Sequence, residues 1–341
     1  MSQQSRALIT TLFVVIALVT FVYVNNTGSK TQLIENAKNK DNVVIAYQTG
    51  VDPTKVAQAN GDYEQDSQNN IEWKKFDTGA DIVNALASGD VDIGNIGTSP
   101  LAAAASRNVP IQVFLTVAKL GASEALVVRQ GSGIKTPQDF VGKTIAVPFV
   151  STAHYSLLSA LKHWGISDHQ VKIVNLRPSE ISAAWERGDI DATYVWEPAL
   201  SKAAETGQVF TDSTQVGEWG APTYDVWVVR QQFAEKHPDF LKSFVNTSFK
   251  QIDEYNRDPQ AYVQNVENIQ KIAALTGSNA KDIPVLLTGN HYLSRAQHID
   301  TFKQAFAVSI ADTARFLKSQ GKVDVVKPNY NEHVTSEYLQ P

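Results

Sequence analysis

The 341-residue chain contains no cysteine. That absence removes structural disulfides, thiolate metal sites, thiol nucleophiles and any lipid anchor built on an N-terminal cysteine. A basic surplus is missing as well, since 30 Lys and Arg stand against 35 Asp and Glu, a formal charge of −5, with no run of lysines or arginines. Nucleic acid is therefore not an expected partner. No Gly-x-Gly-x-x-Gly or Walker A loop follows a strand-like run, and the seven histidines are scattered without His-Glu-x-x-His spacing. The segment "VSTAHYS" lacks the Gly-x-Ser-x-Gly turn that exposes a nucleophilic serine. With no catalytic set, the chain reads as a binder and not an enzyme, with no metal and no other cofactor expected.

What is present suits a globular protein of about two domains, with 43% hydrophobic and 19% charged residues. After a single arginine, Arg6, an apolar run extends from Leu8 to Val24. As a helix it spans roughly 25 Å, marginal for a bilayer crossing. Residues 1–30 read as a signal peptide, with an uncleaved N-terminal membrane anchor as the rival, and either way the remainder is exported.

From "NVVIAYQT" onward, strand-like and helix-like runs alternate as β-α-β-α-β. A second such module starts near "KTIAVP" and ends at "DIDATYVW". This is the pattern of open sheets covered by helices. The run "DVWVVR" then reads as a strand returning to the first module, followed by a mostly helical tail. The expected fold class is α/β, with two lobes that are each an open β-sheet flanked by helices, joined by two crossing strands near residues 125–130 and 225–230. The expected division is lobe 1 over residues 41–127 and 227–341, and lobe 2 over residues 128–226.

Residues 85–100, "ALASGDVDIGNIGTSP", are echoed by residues 183–198, "AAWERGDIDATYVWEP". Each is a helix end at glycine, then Gly-Asp-x-Asp, a short strand and a turn closing on proline. The aspartates read as turn acids, and the differing ends of the copies carry more information, because open α/β sheets place ligands beyond the carboxyl ends of their strands. Thr98-Ser99 before Pro100, and Ser151-Thr152 before a helix at Ala153, put hydroxyls and N–H groups at helix N-termini, which bind anions. Tyr47, Gln48, Tyr155, Tyr194, Trp196 and Trp227 supply aromatic faces and an amide near the same strand ends. Asp225, at the start of a crossing strand, needs a cation from the protein or from a ligand if it is buried. Glu124 holds the matching place on the other crossing strand, where a hinge hydrogen bond is the favoured reading.

The segments "WKKFDTGADIVNALASGDVDIGNIGTSPLAAAAS", "IAVPFVSTAHYSLLSALKHWGI", "AAWERGDIDATYVWEPAL" and "VGEWGAPTYDVWVVR" resemble the periplasmic taurine-binding proteins of bacterial ABC importers. These belong to the sulfonate and nitrate branch of the type II periplasmic binding fold. The resemblance runs from about Val43 to the end. It implies a monomer that captures taurine between its lobes and presents it to an ABC permease. Thr98, Ser99, Ser151 and Thr152, with Gln48, would meet the sulfonate; Asp225 would meet the ammonium, with Tyr194 and Trp196 as walls. Tyr47 lies beside Gln48 at the same strand end, and Glu197 is an acid at a wall position whose role the resemblance leaves open.

Overall fold

A computed structural model of the chain describes residues 42–304 and 306–340; the segment 1–30, expected to be a leader or anchor, lies outside them. Among the described residues no helix is long and apolar enough to cross a membrane. The first run of elements is β1 (Asn42–Tyr47), α1 (Thr54–Asn60), α2 (Asp62–Ser67), β2 (Asn70–Lys75), α3 (Gly79–Ser88), β3 (Ile93–Gly97), α4 (Thr98–Ser106) and β4 (Ile111–Lys119). The second run is β5 (Glu124–Arg129), β6 (Thr144–Val147), α5 (Thr152–His163), β7 (Lys172–Asn175), α6 (Pro178–Arg187), β8 (Ala192–Trp196), α7 (Ala199–Ala204), β9 (Gly207–Asp212) and α8 (Ser213–Glu218). The next strand, β10 (Tyr224–Arg230), returns to the first sheet.

The strand orders β2-β1-β3-β10-β4 and β7-β6-β8-β5-β9 are equivalent position by position. β1 pairs in parallel with β3, and β6 with both β7 and β8. The strand entering from the other sheet, β10 in the first and β5 in the second, lies antiparallel to both of its neighbours.

The repeated sequence maps onto this equivalence. Gly89 and Gly188 close α3 and α6 with φ of 88° and 81°, a left-handed cap that side chains disfavour. The second aspartate of each Gly-Asp-x-Asp then splices two strands together. Asp92 accepts the Val44 N–H at 3.0 Å, and Asp191 accepts the Thr144 N–H at 2.8 Å. Arg230, at the end of β10, also pairs with Asp92 at 2.5 Å. Structural punctuation is thus the role of these acids.

The helical tail covers the first sheet. Phe244, on the long helix Pro238–Arg257, stacks on Tyr63 at 4.4 Å and meets Trp227 edge-on at 5.1 Å. Trp227 is therefore core filling and takes no part in the cleft. The helix Phe306–Ser319 covers α4, whose alanine-rich sequence is buried along its whole length.

The passages between sheets fall a few residues before the expected positions. β5 is paired within the second sheet from Glu124 opposite Trp196, and β10 within the first from Tyr224 opposite Lys119. The chain thus changes sheets at residues 120–123 and 213–223. The first passage is seated on the tail: the Ala122 N–H donates to the Gly289 carbonyl at 3.0 Å, and Asn290 Oδ1 accepts from the Gly121 N–H and the Ser123 hydroxyl. A Cβ on Gly121 would lie 1.9 Å from the Gly289 carbonyl oxygen, a clash that only backbone movement relieves. Gly121→Ala is expected to lower unfolding free energy by about 1–3 kcal/mol, the usual cost of overpacking. An unchanged urea midpoint would show that this passage is not tightly seated.

Candidate ligand-binding site

Between the facing strand ends lies an enclosed cavity lined by, among others, Gln48, Gly97, Ser151, Trp196 and Asp225. Three helices of nine or more residues start at its wall: α3 through Thr78–Ala80, α4 through Gly97 and Pro100, and α5 through Ser151 and Thr152. First-turn N–H groups have no partner within their helix and carry the positive end of its dipole. Gly97 allows two of these ends to meet, since a Cβ there would lie 2.6 Å from Thr152 Cγ2.

The four hydroxyls expected at these ends are placed differently from expectation. α4 starts at Thr98, two residues before Pro100, so Thr98 and Ser99 fall inside its first turn and their neighbours line the cavity in their place. Thr98 Oγ1 accepts the Tyr224 N–H at 3.4 Å, while Ser99 Oγ is buried without a partner. Ser151 caps α5 by accepting the His154 N–H, and donates its own proton to the Pro148 carbonyl at 2.6 Å. Thr152 donates to Glu124 at 2.5 Å. The donors that α5 can turn to a ligand are therefore backbone N–H groups and not these hydroxyls. Gln48 gives one amide hydrogen to the Asn95 carbonyl at 3.0 Å and keeps a second.

Of the expected aromatic walls, Trp196 lines the cavity and Tyr194 does not. Tyr194 is fully buried in the core of the second sheet, with its hydroxyl 3.1 Å from Ser213 Oγ. Trp196 escapes that core because β8 ends there. Tyr47 turns from the cavity to meet Trp73 edge-on at 6.1 Å, and Tyr155 packs on Phe316 at 4.7 Å. Phe149 lines the cavity although its sequence context gave no sign of it. Thr78 was legible in principle, because Thr-Gly-Ala-Asp is a helix-start signature and Thr78 accepts the Asp81 N–H at 3.2 Å.

Four acids, Asp52, Glu124, Glu197 and Asp225, share the rest of the wall with apolar residues. Asp225 lies opposite Gly97 in the strand ladder, and no hydrogen-bond donor among the described residues reaches its carboxyl. Burial pushes its pKa up to about 8, Glu124 and Asp52 push the same way, and Lys55 opposes them. Glu124 accepts from Thr152 and from Ser213 at 2.9 Å, the latter bond reaching the second inter-sheet passage, yet burial still raises it to about 7. Burial also lifts Glu197 to about 7; Ser201 donates to its Oε1 at 2.8 Å, and Oε2 is buried without a partner. Lys55, itself buried, sits 3.8 Å from Asp52. Among the described residues, no group of three or more His, Asp or Glu side chains is placed to hold a metal ion.

A carboxyl whose folded pKa is raised binds its proton more tightly in the folded state, so stability falls as pH climbs from its unfolded to its folded value. Buried His154, lowered to about 4, works in the opposite direction only below the ordinary histidine value of about 6.5. Lys55, lowered by burial, opposes this loss because its unfolded form holds its proton more tightly, so the comparison carries the test: relative to Asp225→Asn, ligand-free wild type is expected to lose stability between about pH 6.5 and 8. Urea denaturation across this range checks the prediction; parallel pH curves for the two proteins would refute it.

The model of the substrate-binding domain of the ABC-type glycine betaine transport system matches residues 41–274. The taurine-binding periplasmic protein of Escherichia coli (strain K12) is 54% identical over 299 residues, 88% of this chain and 93% of that protein. Among solved structures, the alkanesulfonate-binding protein from Xanthomonas axonopodis pv. citri bound to MOPS has a TM-score of 0.70 at 20% identity, covering 86% of this chain and 98% of that one. The periplasmic aliphatic sulphonate binding protein of E. coli has a TM-score of 0.69 at 22% identity, covering 89% and 100%. At those identities the structures speak for the fold, while the family match and the 54% relative speak for descent: the chain belongs to the family of substrate-binding domains of ABC-type glycine betaine transport systems.

Proposed function

We propose that this protein captures taurine, 2-aminoethanesulfonate, between its lobes and delivers it as a monomer to an ABC permease. The observation that carries this reading is Asp225, a carboxyl inside the cavity that no protein donor meets. A half-buried carboxyl of that kind ionises readily only beside a cation, and a ligand ammonium supplies one. Trp196 adds an aromatic face that attracts the same cation. Glu197 Oε2, also unpartnered, is a second acceptor for the ammonium.

The other end of the ligand meets the starts of α3, α4 and α5. A sulfonate is permanently anionic and only accepts hydrogen bonds, which fits first-turn N–H groups and the spare amide hydrogen of Gln48. The ligand residues in this reading are Gln48, Ser151, Thr152, Trp196, Glu197 and Asp225, with Thr78–Ala80 and Phe149 added; Tyr47, Thr98, Ser99 and Tyr194 support the wall from behind. The 54% identity to the E. coli taurine-binding periplasmic protein supports this reading. Closure is about residues 120–123 and 213–223, and the protein works in the periplasm, with residues 1–30 as its export signal.

Calorimetry with taurine and ethanesulfonate tests the reading. Asp225→Asn is expected to weaken taurine by at least about 30-fold, because truncating one partner of a buried charge pair costs about 2–5 kcal/mol, while ethanesulfonate binding changes little. Taurine binding near pH 7.5 is also expected to release protons, since acids titrating at about 7 and 8 ionise to meet the ammonium. Equal losses for both ligands, with no proton release, would remove the amine-partner role.

A further inference from the structure

Two segments of the cavity wall are gripped from outside by the opposite lobe. In the second lobe, Phe149 and Val150 line the cavity, and Val150 has a φ of 63°, a region that β-branched residues rarely enter. The Phe149 ring stacks on His154 at 4.7 Å, and the Lys322 ammonium lies 4.4 Å from its centroid. Lys322 belongs to the first lobe. Its N–H donates to the Leu317 carbonyl at 2.9 Å, and its own carbonyl accepts from Arg107 at 2.8 Å, at the far end of α4. Six residues earlier, Phe316 meets Tyr155 of α5 edge-on.

The converse grip holds the first lobe. Thr78–Ala80 lines the cavity between Asp77 and Asp81. From the second lobe, Ser179 donates to Asp77 at 3.0 Å and Arg177 pairs with Asp81 at 3.3 Å. Neither Lys322 nor Arg177 lines the cavity.

We propose that Lys322 and Arg177 are positioning residues forming reciprocal latches, each holding a wall segment of the opposite lobe against the ligand and so setting how long the ligand stays. Both contacts join opposite lobes, so both break when the cleft opens. A strained residue persists only where its surroundings over-determine it; once Lys322 leaves Phe149, Val150 relaxes and the wall is lost. Ligand enters through the open form, in which neither latch exists, so the latches act on dissociation and not on association. The Arg177 side chain is 54% exposed, so added salt weakens that latch and spares the other.

The latches rest on the reading that the cleft takes taurine, and the test separates the two. Taurine dissociation is followed by stopped-flow fluorescence for wild type, Lys322→Ala, Arg177→Ala, the double variant, Lys322→Met and Lys322→Arg. Each alanine variant is expected to dissociate about two- to fivefold faster, the size of an exposed cation–π contact or ion pair, the double variant by about the product. Association is unchanged; Lys322→Arg restores the wild-type rate, and Lys322→Met does not. Wild-type dissociation in the double variant, slowed association in its place, or full rescue by Lys322→Met would overturn the proposal. If wild type binds no taurine, the functional reading fails and small-angle scattering of ligand-free protein decides the latches. A larger radius of gyration for the double variant supports them, and equal radii overturn them.

Discussion

An enclosed carboxyl without a partner is the constraint around which this cleft is arranged. Asp225 sits where β10 enters the first sheet, and its acidic neighbours Glu124 and Asp52 add to the cost of its charge. The nearby buried cation, Lys55, already lies beside Asp52. Burial favours the protonated form of Asp225, so the acid keeps a proton where no cation reaches it. In the proposed function a ligand ammonium takes the place of that proton and favours the charged form.

The opposite requirement is met by groups that do not titrate. Helix-start N–H groups keep their polarity at every pH, whereas the acids around the cation end do not. Glu124 connects the two ends: it lies just past the first inter-sheet passage, takes a hydrogen bond from Ser213 at the start of the second, and takes another from Thr152 at the start of α5. A single carboxyl thus ties both passages to the start of α5 at the cavity wall.

Much of this was written in the sequence. The two β-α-β-α-β modules, the returning strand and the glycine stops follow from periodicity and capping, and Asp225 stood out as an acid leading an apolar strand. The site was legible in its outline and less so in its detail. Tyr194 and Trp196 lie two apart on one strand, and only the point where β8 ends separates a core residue from a wall residue. Ser151 and Thr152 sit at the expected helix start, but their hydroxyl protons are taken by Pro148 and Glu124, partners set by tertiary packing. The grip of Asn290 on the first passage carries no local signal at all, because it joins residues far apart in the chain.

The exchange of strands between the sheets also orders events along the chain. All five strands of the second sheet lie between Glu124 and Asp212, an unbroken stretch. The first sheet has β10 between β3 and β4, so its interior stays open until residue 230 is available. A chain that emerges from its N-terminus therefore begins the first lobe, completes the second, and only then returns to finish what it began. The lobe that starts the protein is thus the one whose sheet closes last along the sequence, because β3 and β4 have no partner between them before β10.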